Sequence, residues 1–188
     1  GLPDSLVGAG WPAMHESLGV PLSCAGFITF IIATGTIISS LMSDRLTTRF
    51  GPGRVTAASV ALTAAALFGF SFSTQFWVLC LWAMPYGLGA GTVDAALNNY
   101  AALHYTARHM NWLHGCWGLG ASISPFIMSQ ALSSGHGWPS AYRTVGTLQA
   151  ILTAIVTVSL PLWNKTQKIN GGGSARLFDH VPTRAALA

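Results

Sequence analysis

Several windows of about 20 consecutive residues carry no charged side chain, and each is long enough to cross a hydrocarbon layer of about 30 Å as a helix. This feature limits the fold more than any other. Only 7% of the 188 residues are charged and 51% are hydrophobic, whereas soluble domains carry about a quarter charged residues. Mean hydropathy is +0.49. The chain is therefore read as an all-α, polytopic membrane helix bundle.

Six apolar segments are expected, at 1–15, 21–42, 54–73, 76–102, 111–133 and 141–163. The links between them are short, so neighbours run antiparallel in one bundle. Gly1 to Ala13 reads as the latter half of a helix whose start is missing, with no basic n-region or cleavage site of a signal peptide. The chain is accordingly expected to be a fragment of a longer protein. Residues 1–164 form the bundle in this reading, and 165–188 a cytoplasmic linker or tail that opens with a flexible Asn170-Gly-Gly-Gly-Ser174 run.

Lys and Arg set the orientation. Arg45, Arg49 and Arg54 fill the gap after segment two, Arg108 the gap after segment four, and Lys165, Lys168, Arg176 and Arg184 the tail. The opposite gaps hold only Arg143. This bias puts both basic gaps and the tail in the cytoplasm of a plasma (inner) membrane protein. Trp77, Trp138 and Trp163 lie near segment ends, as interfacial anchors do. The net charge of +4 does not suggest nucleic acid, because the basic residues form no patch.

Polar groups fall unevenly. Asp94 stands in the run Gly87-Leu-Gly-Ala-Gly91-Thr-Val-Asp94-Ala-Ala-Leu-Asn98, inside an otherwise charge-free stretch. An intramembrane carboxylate costs several kcal/mol unless compensated, so the default reading is a functional site. Asp4 is the corresponding acid of segment one. If both segments are helical throughout, Asp94 lies about 12 Å from the cytoplasmic end of segment four and Asp4 about 15 Å from the outer end of segment one, near the midplane. Segments three and six carry no ionisable residue in their interiors and read as lipid-like. The pattern repeats every three segments, which is the mark of two inverted three-helix repeats in half of a secondary transporter.

Asn98 follows Asp94 by one turn on the same face. His114 enters segment five to about the same depth, so a cluster of Asp94, Asn98 and His114 is plausible. Packing competes with function for Asn98 and His114. His104, His109 and His114 are five apart, about 140° per step, and share no face on which to bind a metal. Cys24, Cys80 and Cys116 are well separated and read as packing residues. Gly87 and Gly91 form a small-xxx-small face for close helix approach. Gly115, Gly118 and Gly120, with Pro125, loosen segment five.

Ser40-Leu-Met-Ser-Asp44-Arg45-Leu-Thr-Thr-Arg49 reads as part of a tight turn on the basic side. It resembles the loop signature of the major facilitator superfamily, G-x-x-x-[DE]-[RK]-x-G-[RK]-[RK]. Asp44, Arg45 and Arg49 match, while Ser40 and Thr47 replace the usual glycines. The Gly89–Asn98 stretch is similar to the fourth helix of the fucose permease-like branch, and Gly1–Gly8 resembles its first helix. The resemblance covers residues 1–165, the amino-terminal six helices of a twelve-helix fold. It implies that Asp94, with Asp4, is proton-coupling, and that helices one, two, four and five line a cavity. It also implies a gating latch at Asp44, Arg45 and Arg49, and sugar-stacking candidates among Trp11, Tyr86, Tyr100 and Trp117.

The expected function is proton-coupled transport of a sugar or similar small polar solute. Its partners are lipid, solute, protons and either a carboxyl-terminal half or a second copy; no cofactor is needed. An efflux antiporter for organic cations and a dimeric channel or scaffold are the alternatives. An enzyme is disfavoured by the lack of any His-Glu-x-x-His or Gly-x-Ser-x-Gly pattern. The topology has a direct check in single cysteines labelled by an impermeant maleimide. Positions in 43–53 and 103–110 should react from one side of the membrane and positions in 134–140 from the other; shared sidedness would refute it.

Overall fold

The computed structural model describes the backbone of residues 1–177 and side chains as far as Pro161. It contains six helices: α1 Leu6–Ser17, α2 Cys24–Phe50, α3 Pro52–Phe72, α4 Phe76–His104, α5 Ala107–Ser133 and α6 Trp138–Leu177. Among the described residues there is no strand. Four helices are long and apolar enough to cross a membrane: Cys24–Phe50, Pro52–Phe72, Phe76–His104 and the Trp138–Pro161 part of α6. At 12 residues, α1 spans about 18 Å. The 27-residue α5 has the length, but Arg108, His109, Asn111 and His114 make its first turns polar.

All six segments correspond to helices, and the largest differences lie at their ends. α2 continues from the expected end at Met42 to Phe50, so Asp44, Arg45 and Arg49 stand on its last turns rather than in a loop. The stretch 43–50 holds neither Gly nor Pro, and nothing stops the helix there. The break comes at Gly51, whose φ of 84° suits glycine and few other residues. Its N–H bonds to the Thr47 carbonyl at 2.9 Å, and Pro52 then opens α3 at the position where a missing N–H costs least. Asp4 is displaced too. It precedes α1 in a turn closed by Asp4 N–H to the Gly1 carbonyl at 3.3 Å, so its expected helical depth does not apply. α6 passes through the Asn170–Ser174 run to Leu177, and residues 178–188 of the expected tail lie outside the described residues.

The bundle is organised about α4, which is clasped between α2 and α3. On the α2 side, a Cβ at Gly87 would collide with the Ile32 carbonyl, and one at Gly91 with the Thr36 carbonyl. Hydroxyls of α2 follow that close approach. Thr36 donates to the Gly87 carbonyl at 3.3 Å, Ser40 to the Gly91 carbonyl at 3.2 Å and Ser43 to the Thr92 carbonyl at 3.3 Å. Interhelical bonds of this type contribute about 0.6 kcal/mol each within a membrane. On the α3 side, a Cβ at Gly89 would lie 2.8 Å from the Ser59 carbonyl.

The lipid-like reading of α3 is corrected. In the apolar 18-residue stretch of α3 67% of residues are buried, against 11% in that of α6, because α3 is packed between α4 and α6. Its Ala, Ser and Gly residues permit that approach, as at Gly69, where the Trp82 ring occupies the place of a Cβ. Gln149 Nε2 of α6 donates to Thr63 Oγ1 of α3 at 3.0 Å. Phe70 lies between Tyr86 and Tyr142 at centroid distances of 6.0 and 5.4 Å. α1 is held at its far end by Trp11 Nε1 to the Leu22 carbonyl at 2.7 Å and by Trp138 Nε1 to Ser17 Oγ at 2.8 Å.

The glycine contacts make a stability prediction. Gly87→Ala drives a methyl into the α2 backbone and should lower stability by about 1–3 kcal/mol, the usual cost of overpacking. Gly26→Ala, where a Cβ meets nothing within 4 Å, should be neutral or slightly stabilising. Unfolding midpoints in detergent measure both. Equal effects would remove the close approach from the account.

Candidate functional site

Gly87, Gly91, Asp94 and Asn98 recur at i, i+4, i+7 and i+11, within about 60° of one another around α4. The face that receives α2 at its glycines therefore carries the acid and the amide one and two turns further on. The bond from Ser43 to Thr92 shows α2 moving toward the neighbouring side of α4 at that level. Asp94 is consequently exposed at the bundle surface, and Asn98 is half-buried. The Asn98 Oδ1 atom itself is buried without a hydrogen-bond partner. It is an acceptor that a donor entering the site could satisfy, and an unmet buried acceptor costs about 1–3 kcal/mol.

His114 is exposed on α5. Among the described residues no hydrogen bond or ion pair joins it to Asp94 or Asn98. Few residues of α5 are buried, Ser124, Met128 and Ala131 being the ones against its neighbours. Trp117 is 52% exposed on the same helix, with its backbone against Gly1.

A pairing that sequence reasoning missed links two of its own candidates. Tyr86 donates its hydroxyl to Asp4 Oδ1 at 2.8 Å. Tyr86 is otherwise enclosed, with its ring packed on Phe70. A buried tyrosine in an apolar helix needs a partner for its O–H, and that requirement was the available signal. Trp11 is buried as well and commits its indole N–H to Leu22. Neither ring offers an open face for stacking in this conformation. Tyr100 stacks on His104 at 4.3 Å between centroids.

At the end of α2, Asp44, Arg45 and Arg49 are all exposed. The carbonyl of Asp44 accepts the Thr48 hydroxyl at 2.8 Å, and the Arg49 guanidinium lies 5.3 Å from the centroid of Phe50. No ion pair joins Asp44 to either arginine among the described residues. Nor does any group of three His, Cys, Asp or Glu side chains there come close enough to hold a metal ion. The groups within reach are an exposed carboxylate and, one turn on, an amide oxygen without a hydrogen-bond partner.

The chain is similar to bypass of stop codon protein 6 of Saccharomyces cerevisiae, at 26% identity over 140 residues. That match covers 72% of this chain but 28% of the yeast protein, so the chain spans well under half of that relative's length. The family model of the Major Facilitator Superfamily matches residues 1–184, nearly the whole chain. Together with its apolar spanning helices, that match makes the chain an integral membrane protein belonging to the major facilitator superfamily of transporters.

Proposed function

We propose that the chain is the amino-terminal half of a proton-coupled transporter of the fucose permease-like branch, carrying a sugar or similar small polar solute. The observation that carries the reading is Asp94. It is an exposed carboxylate on an apolar helix of the bundle, one turn from an amide whose oxygen has no partner. As access alternates between the two sides of the membrane, such a group can pick up a proton on one side and release it on the other. Asn98, with His114 and Trp117 on α5, would then bind the solute.

A six-span, inverted-repeat architecture is supported by the packing. Exchanging the first three helices for the last three turns α2·α4 into α1·α5, α3·α4 into α1·α6, α2·α3 into α5·α6 and α4·α5 into α1·α2. It leaves α3·α6 unchanged, and all of these pairs are in contact. An odd number of antiparallel spans in each trio makes such a repeat inverted. The large apolar side chains exposed on α5, Phe126 among them, are surface for lipid and for a carboxyl-terminal half or a second copy. In this reading the Gly51 turn and residues 165–188 face the cytoplasm.

In the parent transporter, Asp94→Asn holds the site in the neutral form. Uphill uptake driven by a proton gradient should fall to background, while exchange of solute across the membrane persists. Gradient-driven accumulation with normal pH dependence in the mutant would overturn the assignment. The same unpaired anion suits an organic cation, which is the second reading. Its mark is proton movement opposite to the solute, read with a pH-sensitive dye in proteoliposomes.

Asp44, Arg45 and Arg49 sit next to the single-glycine turn that joins α2 to α3, where they can latch one conformation without touching solute. Asp44→Asn should therefore slow turnover about tenfold, or about 1.4 kcal/mol in the barrier, and leave equilibrium solute binding within twofold. Lost binding with normal turnover would contradict the latch.

A further inference from the structure

A groove of about 590 Å³ opens between α2 and α3 beside the Gly51 turn. Met42, Leu46 and Phe50 of α2 line it with Ala58 and Leu62 of α3, and Leu88 of α4 forms its floor. All three helices are long and apolar enough to cross the membrane. The groove therefore lies among helices able to span the membrane, with its apolar lining at hydrocarbon level. Met42, Phe50 and Leu62 are each between 38% and 49% exposed, so the protein leaves its apolar walls uncovered.

Charge defines the mouth. Arg54 lines the end of the groove next to the turn, exposed and with no ion-pair partner among the described residues. On α2 the lining residues recur in steps of three and four, and Arg49, three residues after Leu46, lies at their margin. Asp44 is about 150° around the helix from the middle of that row, so it points away. The entrance is thus cationic above an apolar channel. Arg54 also stands in the first turn of α3, where a cation opposes the helix dipole and where no acidic or capping side chain offsets it. An anion held there would reverse that unfavourable arrangement, since first-turn amides favour negative charge.

We propose that this groove is a binding site for an anionic phospholipid, with one acyl chain between α2 and α3 and the phosphate against Arg54. Arg49 at the margin adds to the attraction. The inference rests on the chain's being an integral membrane protein and is independent of which solute it carries, or whether it carries one. Lipid retention, rather than transport, is accordingly the readout.

Protein purified from membranes is exchanged into vesicles of phosphatidylcholine and phosphatidylglycerol in equal parts. It is then extracted mildly, and its retained lipids are identified by native mass spectrometry. Phosphatidylglycerol should be retained over phosphatidylcholine by about fivefold, the scale of one arginine's attraction to an anionic surface. Arg54→Gln should bring the ratio near one, whereas Arg54→Lys should keep most of it and serves as the folded comparator. Ala58→Trp should fill the channel and displace both lipids without changing the elution volume of the protein. Equal retention of the two lipids by the unaltered protein would overturn the proposal, as would unchanged selectivity in Arg54→Gln. Cross-linking from Ala58→Cys to a second copy or to a carboxyl-terminal half, in place of a photoreactive lipid, would make the groove a protein interface and equally end the assignment.

Discussion

The contact of α2 with the backbone of α4 is the interaction on which the remaining geometry depends. With Gly87 and Gly91 lacking side chains, the carbonyls of Ile32 and Thr36 reach the α4 backbone directly. Hydroxyls at Thr36, Ser40 and Ser43 then find α4 carbonyls within 3.3 Å. In lipid there is no hydrophobic force to bring helices together, so small residues and hydroxyl bonds must supply the association. That seam fixes the rotation of α4. The rotation in turn presents Gly89 to α3, Tyr86 to the Asp4 turn and Asp94 to the bundle surface.

The acid and the seam share one helical face, and this has a functional consequence. A helix that packed closely along its whole length would enclose Asp94. Here the tight approach ends one turn before the acid, as α2 moves toward Thr92. The rigid part of α4 thus positions the carboxylate, while the part beyond leaves it accessible. The polar α5 is loosely packed and leaves His114 and Trp117 exposed.

Much of this was legible in the sequence. The charge-free windows located six helices because Arg and Lys fall toward the ends of the apolar runs, and the Gly87-xxx-Gly91 spacing announced a close neighbour without naming it. Three features were not legible. Charge at Asp44, Arg45 and Arg49 suggests a loop after Met42, whereas helices continue through charged turns until Gly or Pro intervenes, as at Gly51-Pro52. An interior without ionisable residues suggests that α3 faces lipid, yet its small side chains suit the centre of the bundle better than its edge. The bond between Tyr86 and Asp4 joins residues 82 positions apart, and no local periodicity encodes such a contact.

A seam this close predicts that α2 and α4 move as one body and carry Asp94 with them. Spin labels at Ile37 and Met84, exposed positions on the two helices near the seam, give their separation directly by pulsed electron resonance. The account predicts one narrow distance distribution, unchanged between acidic and alkaline pH and between solute-free and solute-loaded protein. Two populations, or a shift with pH larger than the width of the distribution, would contradict it.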